Sequence, residues 1–353
     1  MALLLDAGEV TADVARIFAG AGLGSQAALI VAESLVEADR LGLASHGVML
    51  ADMYVARLRA GSVSPETAPA VISDNGTNIV LDGRNGFGVL TADRAMERAV
   101  DRARELGAGI VAVRHAFHFG AARRFALAAA ERGCLGIAMC NTRPLMPAPG
   151  GAERVVGNNP IAIAMPTADA TPFVLDMATS EAAMGKIRMA AKSGGKIPAT
   201  WAVRADGSPT TDPAEAIKGM LLPTAGPKGF GLALMIDLLC GVLSGGAVGQ
   251  EVQPLYGDPS RPYDCSHLFI AVDVGRFVDP ADAANRVRDA AQRIRSGARA
   301  PGAERLYTPG EPEWRRREDL GSQVAVEPSV QDALARLADA LNVELTTIGK
   351  SIA

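Results

Sequence analysis

The first 70 residues have apolar positions at helical spacing. The runs VARIFAGAG and QAALIVAESLVEADRLG, within residues 11–42, repeat apolar residues every three or four positions and are separated by a glycine-containing break at residues 22–25. This spacing predicts two helices joined as a hairpin. A third helix is expected after the turn Ser45-His46-Gly47 and before Gly61.

The pattern changes after residue 70. Short apolar runs rich in β-branched residues, among them NIVLDG, GAGIVAVRH, LGIAMCNT and PFVLDMAT, replace the helical spacing. They alternate with helical stretches at residues 92–106, 230–244 and 280–296. This alternation predicts an α/β fold, a mixed sheet covered by helices.

These patterns divide the chain into two regions. The helical region covers residues 1–70, and we expect the C-terminal helical segment, residues 315–353, to join it. The α/β region covers residues 71–314. Within it, residues 192–228 are rich in Gly, Pro, Thr and Asp, which predicts a long ordered loop system. The later stretch PGEPEWRRRED is interpreted as a polar segment.

Composition and charge narrow the class of protein. With 35 basic and 39 acidic residues, the net charge of -4 cannot supply the broad basic face that nucleic acid requires. The four cysteines form no CxxC pair and are expected to be reduced core residues. The N-terminus lacks the basic stretch of a secretory signal, so a cytoplasmic location is expected. The apolar stretch at residues 230–249 contains Asp237 and predicts a buried helix rather than a membrane span.

Glycines 20, 22 and 24 superficially resemble a dinucleotide-binding loop. The Rossmann fingerprint, however, requires a strand immediately before the glycines. Here an amphipathic helical run precedes them. The sequence therefore argues against a phosphate-binding loop of the Rossmann type at this position.

The placement of the four histidines suggests a site. His46 lies in the Ser-His-Gly turn, His115 and His118 follow a strand in RHAFHFG, and His267 stands alone. A histidine in a glycine-containing loop after a strand lies at a sheet edge, where α/β proteins bind ligands. Since an imidazole with a pKa near 6.5 can act as acid or base, we predict His46 and His118 as catalytic residues. The alternative is that each caps a turn or packs in the core.

Metal binding is a competing interpretation of the same residues. His115 and His118 are three positions apart, and Asp176 could complete the site of a metal-dependent hydrolase. The sequence has no HExxH motif and no Cys/His cluster with ligand spacing. We therefore predict no metal.

Three charged residues lie where a strand or loop ends. Asp176 ends PFVLDMAT, where it could accept from a ribose hydroxyl, orient a histidine, or cap a helix beginning near Ser180. Lys228, in the turn GPKG before a helix, combines a cation with a helix N-terminus, which favours a cofactor phosphate. Arg143 follows another strand and could hold a carboxylate with two parallel hydrogen bonds. Each turn could also be merely structural.

Eight segments extend these observations over residues 38–310. They are, in order, ADRLGLASHGV, VRHAFHFGAA, GIAMCNTRPLMPAPGG, GNNPIAIAMP, FVLDMATS, GKIP, GSPTTDP and LLPTAGPKGFGLALMIDLLCGVLSG. Together they closely resemble the type 2 malate/L-lactate dehydrogenase family. Any one segment is weak evidence for the family, but eight segments in register are highly specific for it.

The resemblance implies a mixed-sheet fold distinct from the Rossmann domain, an intertwined homodimer, and NAD or NADP as cofactor. The implied activity is hydride transfer between nicotinamide and a small 2-hydroxy or 2-oxo carboxylic acid. Reduction of a cyclic ketimine carrying a carboxylate is an alternative within the same chemistry. A metal-dependent hydrolase and a catalytically silent binding protein are alternatives outside it.

The resemblance also implies roles for individual residues. His46 and His118 fall on positions credited with proton transfer in different family members, so the resemblance leaves open which one is the base. We predict Ser45, beside His46, as a substrate-binding residue. For the cofactor, the matching positions are Thr142, Asp176, Met177, Ala178, Lys228, Gly229, Gly310, Glu311 and Pro312.

Leu50 departs from the family pattern. Many members carry an arginine four residues after the Ser-His-Gly histidine, where this chain has leucine. Arg143, at a position often occupied by a non-basic residue, is predicted to bind the substrate carboxylate instead.

Overall fold

The N-terminal region forms the predicted helical hairpin. A computed structural model describes residues 2–66 and 68–349. Helices α1 (Ala7–Gly20) and α2 (Ser25–Arg40) pack on each other, and α3 (Ala51–Arg59) follows two short 3₁₀ turns at Ala44–His46 and Val48–Leu50. Helix α1 begins before residue 11, the predicted start, because the Asp6 side chain accepts from the Glu9 backbone N–H at 3.0 Å.

A mixed sheet of seven strands forms the centre of the molecule. In spatial order its strands are β2 (Ala70–Asn75), β3 (Asn78–Asp82), β4 (Ala108–Ala116), β10 (Cys265–Asp273), β5 (Cys134–Cys140), β6 (Ile161–Met165) and β7 (Phe173–Met177). The β3–β4 pair is parallel and the other pairs are antiparallel. The predicted mixed α/β fold is therefore confirmed.

Small residues let helices approach one face of the sheet closely. Helices α4 (Gly88–Leu106) and α5 (Arg123–Ala130) cover this face with alanine-rich surfaces. A Cβ on Gly109 of β4 would lie 2.1 Å from the Ala99 carbonyl oxygen, and one on Gly136 of β5 would lie 2.4 Å from that of Ala126. Glycine is required at both positions because any larger residue would push a helix off the sheet.

The opposite face packs against helix α8 (Pro227–Ser244). Ile236 and Cys240 of α8 contact inward-facing residues of the central strands. The helix is long and apolar enough to cross a bilayer, with a mean hydropathy of 1.4, and 39% of its residues are buried inside the fold. The predicted buried helix is therefore only partly buried, because one of its apolar faces is exposed. It starts before residue 230, the predicted start, because Pro227 is well suited to the first helical turn.

The C-terminal segment returns to the N-terminal helices. Strand β1 (Leu3–Asp6) pairs antiparallel with β11 (Gln323–Val326), and buried Asp13 accepts from the backbone N–H groups of Thr346, Thr347 and Ile348. Two helices precede β11 in the sequence, α9 (Pro280–Arg295) and α10 (Glu311–Leu320), and one follows it, α11 (Pro328–Ala340). The domain boundaries at residues 70 and 314 stay predictions.

The region predicted as loop contains regular structure. Strand β8 (Ala202–Val203), helix α7 (Pro213–Lys218) and strand β9 (Met220–Leu221) lie within it, and helix α6 (Met184–Lys192) comes just before it. These elements pack around a small apolar cluster that also includes Met146, Val156 and Ala233 of α8. Helix α7 forms because Asp212 accepts from the Ala214 N–H at 2.8 Å and Pro213 occupies the first helical position. We call residues 184–221 the α6–β9 unit.

Candidate active site

The structure brings His46 and His118 together. Their rings stack with centroids 5.6 Å apart and planes inclined by 21°. His46 lies in the 3₁₀ turn before α3, and His118 lies in the loop after β4. Two residues distant in sequence thus form one pair of imidazoles, as the prediction of a shared site requires.

Each ring has one nitrogen in a defined hydrogen bond. Ser45 Oγ lies 3.0 Å from His46 Nδ1, and Tyr54 Oη lies 2.6 Å from His118 Nδ1. Tyr54 is buried in α3. It is a site residue that the sequence did not reveal, because a tyrosine on the apolar face of an amphipathic helix is typical of a core position.

Asp39 fixes the turn that carries His46. Its buried carboxylate accepts from the Val48 backbone N–H at 2.8 Å. A Cβ on Gly47 would lie 2.0 Å from Asp39 Oδ1, so only glycine fits between Asp39 and the turn. Burial raises the pKa of Asp39 to about 7, against the smaller opposing effect of the Val48 hydrogen bond.

The loop of His118 lies against the first turn of α4. A Cβ on Gly88 would lie 2.1 Å from the Phe117 carbonyl oxygen and 2.3 Å from that of His118. The Phe117 ring also packs edge-on against Tyr54, with centroids 5.1 Å apart. The backbone around His118 therefore has little freedom to move.

Burial controls the protonation of the two histidines. Burial, together with the smaller effects of charge on His46 and His267, lowers the pKa of His118 to about 3. Burial also lowers the pKa of His46. Both rings are therefore neutral at neutral pH, and the pair cannot easily accept two protons at once.

The other two histidines lie outside this pair. His115 Nδ1 is 2.9 Å from Asp82 Oδ2, and His267 is buried with its Nε2 3.3 Å from Cys265 Sγ. In the part of the chain that the structure describes, no three His, Cys, Asp or Glu side chains form a group that could hold a metal ion. The geometry gives no support to a metal site built from His115, His118 and Asp176.

Most of the predicted cofactor residues lie in segments that hydrogen bonds connect to one another. Thr142 Oγ1 donates to Asn158 Oδ1 at 3.1 Å, and the Asn158 carbonyl accepts from the Thr179 N–H. The Thr179 carbonyl accepts in turn from the Thr224 N–H, shortly before α8 begins with Lys228 in its first turn. These bonds join the turn of Thr142, the strand end at residues 176–178 and the start of α8.

Asp176 connects this set to the loop of His118. Asp176 Oδ2 accepts from the Arg123 backbone N–H at 3.0 Å, at the start of α5. The alternative that Asp176 caps a helix near Ser180 is wrong, since α6 begins only at Met184 and has no side-chain cap. Burial raises the pKa of Asp176 to about 6.

The segment containing Gly310 lies against β7. The Val174 N–H donates to the Pro309 carbonyl, and Arg123 Nη2 reaches the Gly310 carbonyl at 3.5 Å. The Glu311 side chain is buried and paired with Arg295 at 2.8 Å and Arg315 at 2.7 Å, which helps hold its pKa at about 2. The Glu311 side chain is therefore not available to a ligand, whereas the backbone of this segment and the exposed Pro312 ring are.

Sequence comparison identifies the family. The family model described as malate/L-lactate dehydrogenase matches residues 5–335. The chain belongs to this family. The resemblance predicted from the eight sequence segments is thus confirmed.

Curated members of the family cover most of the chain. A malate dehydrogenase of Pyrococcus abyssi is 37% identical over 311 residues, which are 86% of this chain and 85% of that protein. An NAD(+) ureidoglycolate dehydrogenase of Escherichia coli K12 is 35% identical over 82% of this chain and 83% of its own. An NADP(+) (2R)-3-sulfolactate dehydrogenase of Chromohalobacter salexigens is 37% identical over 71% and 75%.

Solved structures of family members have the same fold. The sulfolactate dehydrogenase from Methanocaldococcus jannaschii superimposes with a TM-score of 0.91 at 33% identity, covering 97% of this chain and 98% of that one. The Δ1-piperideine-2-carboxylate reductase from Pseudomonas syringae gives a TM-score of 0.84 at 28% identity, covering 95% and 100%. One fold therefore includes a dehydrogenase and an imine-carboxylate reductase by name.

Leu50 and Arg143 occupy contrasting environments in this family member. Leu50 is 1% exposed and packs in the main core. Arg143 is half-buried and makes no hydrogen bond or ion pair with residues 2–66 or 68–349. Burial lowers the pKa of Arg143, as do the charges of Arg154 and Arg188. Among the described residues, the partly desolvated Arg143 guanidinium therefore lies near like charges and has no anionic partner.

The α6–β9 unit lies over the Ser-His-Gly turn. A Cβ on Gly185, in the first turn of α6, would lie 3.7 Å from Ser45 Cβ. Farther along α6, the Arg188 guanidinium lies over the Tyr256 ring at 5.4 Å from its centroid. The unit thus places a further cation near Arg143, a contribution that the sequence did not predict.

Proposed function

We propose that this protein is an NAD(P)-dependent oxidoreductase that transfers a hydride between nicotinamide and a small 2-hydroxy or 2-oxo carboxylic acid. The observation that carries the proposal is the stacked pair His46 and His118 beside the connected segments at Thr142, Asp176 and Lys228. Dehydrogenases of 2-hydroxy acids are named among the relatives. The cofactor supplies the hydride acceptor or donor.

The residues present suit a nicotinamide dinucleotide. Gly226 precedes α8 with no side-chain cap, so backbone N–H groups in the first turn and the exposed Lys228 can face an anion. The Thr179 hydroxyl, directly after Ala178, is buried and has no hydrogen-bond partner within the described chain. An unsatisfied donor of this kind is costly unless a ligand pairs with it.

These groups define the proposed cofactor contacts. Lys228 and Gly229 would hold a phosphate, while Asp176, Met177 and Ala178 would line the strand end. Thr142 and the backbone of Gly310, Glu311 and Pro312 complete the set. Arg143 would bind the substrate carboxylate, with Ser45 near the substrate oxygen and one histidine of the pair exchanging its proton.

Reduction of a cyclic ketimine is the second candidate. It is favoured by the likeness to the Pseudomonas syringae reductase and by Leu50, which offers no hydrogen bond where many members carry arginine. Both substrates present an sp² carbon next to a carboxylate, and the same proton donor serves C=O and C=N. The proposed site accommodates either reaction.

A substrate panel tests the function. Purified protein should oxidise NADH or NADPH, followed by absorbance at 340 nm, in the presence of at least one 2-oxo acid or cyclic imine carboxylate. The matched control omits the acid or replaces it with its amide. No oxidation across a broad panel with either cofactor would contradict the proposal, whereas activity only with imines would select the second candidate.

We also propose that the protein acts in the cytoplasm as a homodimer that uses the exposed face of α8. Met235, Leu238 and Val242 form a stripe at helical spacing, and they are 53%, 39% and 62% exposed. A contiguous apolar face of this kind is typical of an interface. All four cysteines are buried and unpaired, which fits a reducing compartment.

The double substitution L238E/V242E is expected to convert the protein to a monomer. Two carboxylates at the interface would lose their hydration on association, which costs several kcal/mol. Size-exclusion chromatography with light scattering should report twice the 36.5 kDa chain mass for the wild type and one chain for the variant. F277E, at a position 75% exposed, is the control. A monomeric wild type would contradict the dimer. A wild type that sediments with phosphatidylcholine vesicles would contradict it too, because a lipid surface would then cover the apolar face of α8.

A further inference from the structure

The hydroxyl of Tyr54 has one hydrogen-bond partner in the described chain. It lies 2.6 Å from His118 Nδ1, and the ring is enclosed by Phe18, Phe87 and Phe117. A buried hydroxyl that fails to donate its hydrogen costs about 1–3 kcal/mol. Tyr54 therefore donates, and His118 Nδ1 accepts.

This donation determines the tautomer of His118. A neutral imidazole carries its hydrogen on one nitrogen, so an accepting Nδ1 places the hydrogen on Nε2. We propose that Tyr54 is a positioning residue that fixes His118 as the neutral Nε2–H tautomer, so that His118 donates a hydrogen bond to the substrate oxygen while His46 exchanges the proton. This assignment rests on the proposed function and gives the two histidines different roles.

His118 cannot exchange a proton in this setting. A second proton on Nδ1 would face the Tyr54 O–H hydrogen. Passing the proton on through Tyr54 would leave a tyrosinate, and burial raises the pKa of Tyr54 far above its usual value. A charge on the neighbouring His46 opposes protonation of His118 as well. The ring is thus confined to the role of a neutral donor.

His46, unlike His118, can gain and lose a proton. Its Nδ1 faces the hydroxyl of Ser45, which is exposed and can rotate to donate or to accept. Both neutral tautomers and the imidazolium are therefore accommodated, and the proton can pass to solvent. A half-buried ring with such a partner is suited to acid–base exchange.

The resulting step is balanced. In oxidation, His46 takes the substrate O–H proton as the C–O bond becomes C=O. The oxidised nicotinamide, which the segments at Thr142, Asp176 and Lys228 would hold, would accept the C–H hydride. His118 Nε2–H donates to that oxygen throughout and keeps its proton. Reduction reverses each transfer, with the imidazolium of His46 as the acid.

Nitrogen NMR on the full-length protein tests the assignment without any turnover. With ¹⁵N-histidine labelling, the four histidines are assigned from the single variants H46Q, H115Q, H118Q and H267Q. In the wild type, we expect His118 to remain the Nε2–H tautomer from pH 8 to pH 5.5, while His46 exchanges between forms and protonates below pH 6.5. A wild-type His118 that carries its hydrogen on Nδ1, or becomes charged in this range, would overturn the proposal.

The Y54F variant supplies a second readout. It removes the donor with little change of shape, so the Nδ1–H tautomer of His118 should become populated and kcat should fall by up to about tenfold, the scale of one hydrogen bond. The acid limb of the pH profile, set by His46, should not move. An unchanged His118 tautomer in Y54F would overturn the role of Tyr54, whereas inactivity of the wild type on every acid and imine would instead refute the proposed function and leave the NMR result standing.

Discussion

Replacement of His46 by glutamine is expected to lower kcat by at least about 100-fold, the lower end of the range for general acid–base catalysis. Glutamine can fill the space and form hydrogen bonds, but it cannot accept a proton from the substrate hydroxyl. The measurement is kcat at saturating cofactor and acid. Wild-type oxidation should fall as the pH decreases through the pKa of His46, which burial sets below 6.5, because only the neutral ring is a base.

The matched control is H118Q. Its amide N–H can still donate to the substrate oxygen, so we expect kcat to remain within about tenfold of the wild type, the scale of one neutral hydrogen bond. The acid limb of the oxidation profile should persist in H118Q and disappear in H46Q. The reverse pattern, with the larger loss and the missing limb in H118Q, would make His118 the proton carrier.

Local pattern predicted those parts of the fold that depend on local chemistry. The hairpin of α1 and α2 follows from apolar residues at helical spacing, and β4 from a short apolar run that contains β-branched residues. Strand β10 pairs with both β4 and β5 at the centre of the sheet. Its partners lie far away along the chain, so no local pattern could indicate this pairing.

Helix α10 and strand β1 show the limits of periodicity. Helix α10 has few apolar residues, and its ends are stabilised by ion pairs such as Glu311–Arg315, so the sequence looked like a polar segment. Strand β1 is too short to be recognised without β11, its partner near the other end of the chain. Both form because tertiary contacts supply what local propensity does not.

The same difference between local pattern and tertiary contact separates the site residues that were predicted from those that were not. His46, His118 and Asp176 were found because polar groups at the ends of strands and in glycine turns are uncommon in a core. Asp39 and Tyr54 were not predicted, because each lies in an amphipathic helix, where such a residue is typical of an ordinary helix position. Their role is visible only from the bonds to Val48 and His118. Supporting residues of this kind can be recognised only from the three-dimensional structure.

Replacement of Arg143 by alanine is expected to lower kcat/KM for a carboxylate substrate by about 10- to 150-fold. Hydrogen bonds to charged groups contribute about 1.5–3 kcal/mol, and tenfold corresponds to about 1.4 kcal/mol. The effect should appear mainly as a higher KM, because the carboxylate is held equally in the ground state and the transition state. Lysine should restore only part of the loss, since it cannot form two parallel bonds.

The substrate carboxylate provides an internal control for Arg143. Converting it to an amide should cost the wild type much of its kcat/KM and cost R143A little, because the partner of the charge is already missing. R94A removes one exposed positive charge elsewhere and should behave as the wild type. If R143A and the wild type lost the same factor on amidation, the carboxylate would have another partner, and Arg188, which lies over Tyr256 near Arg143, would be the next residue to replace.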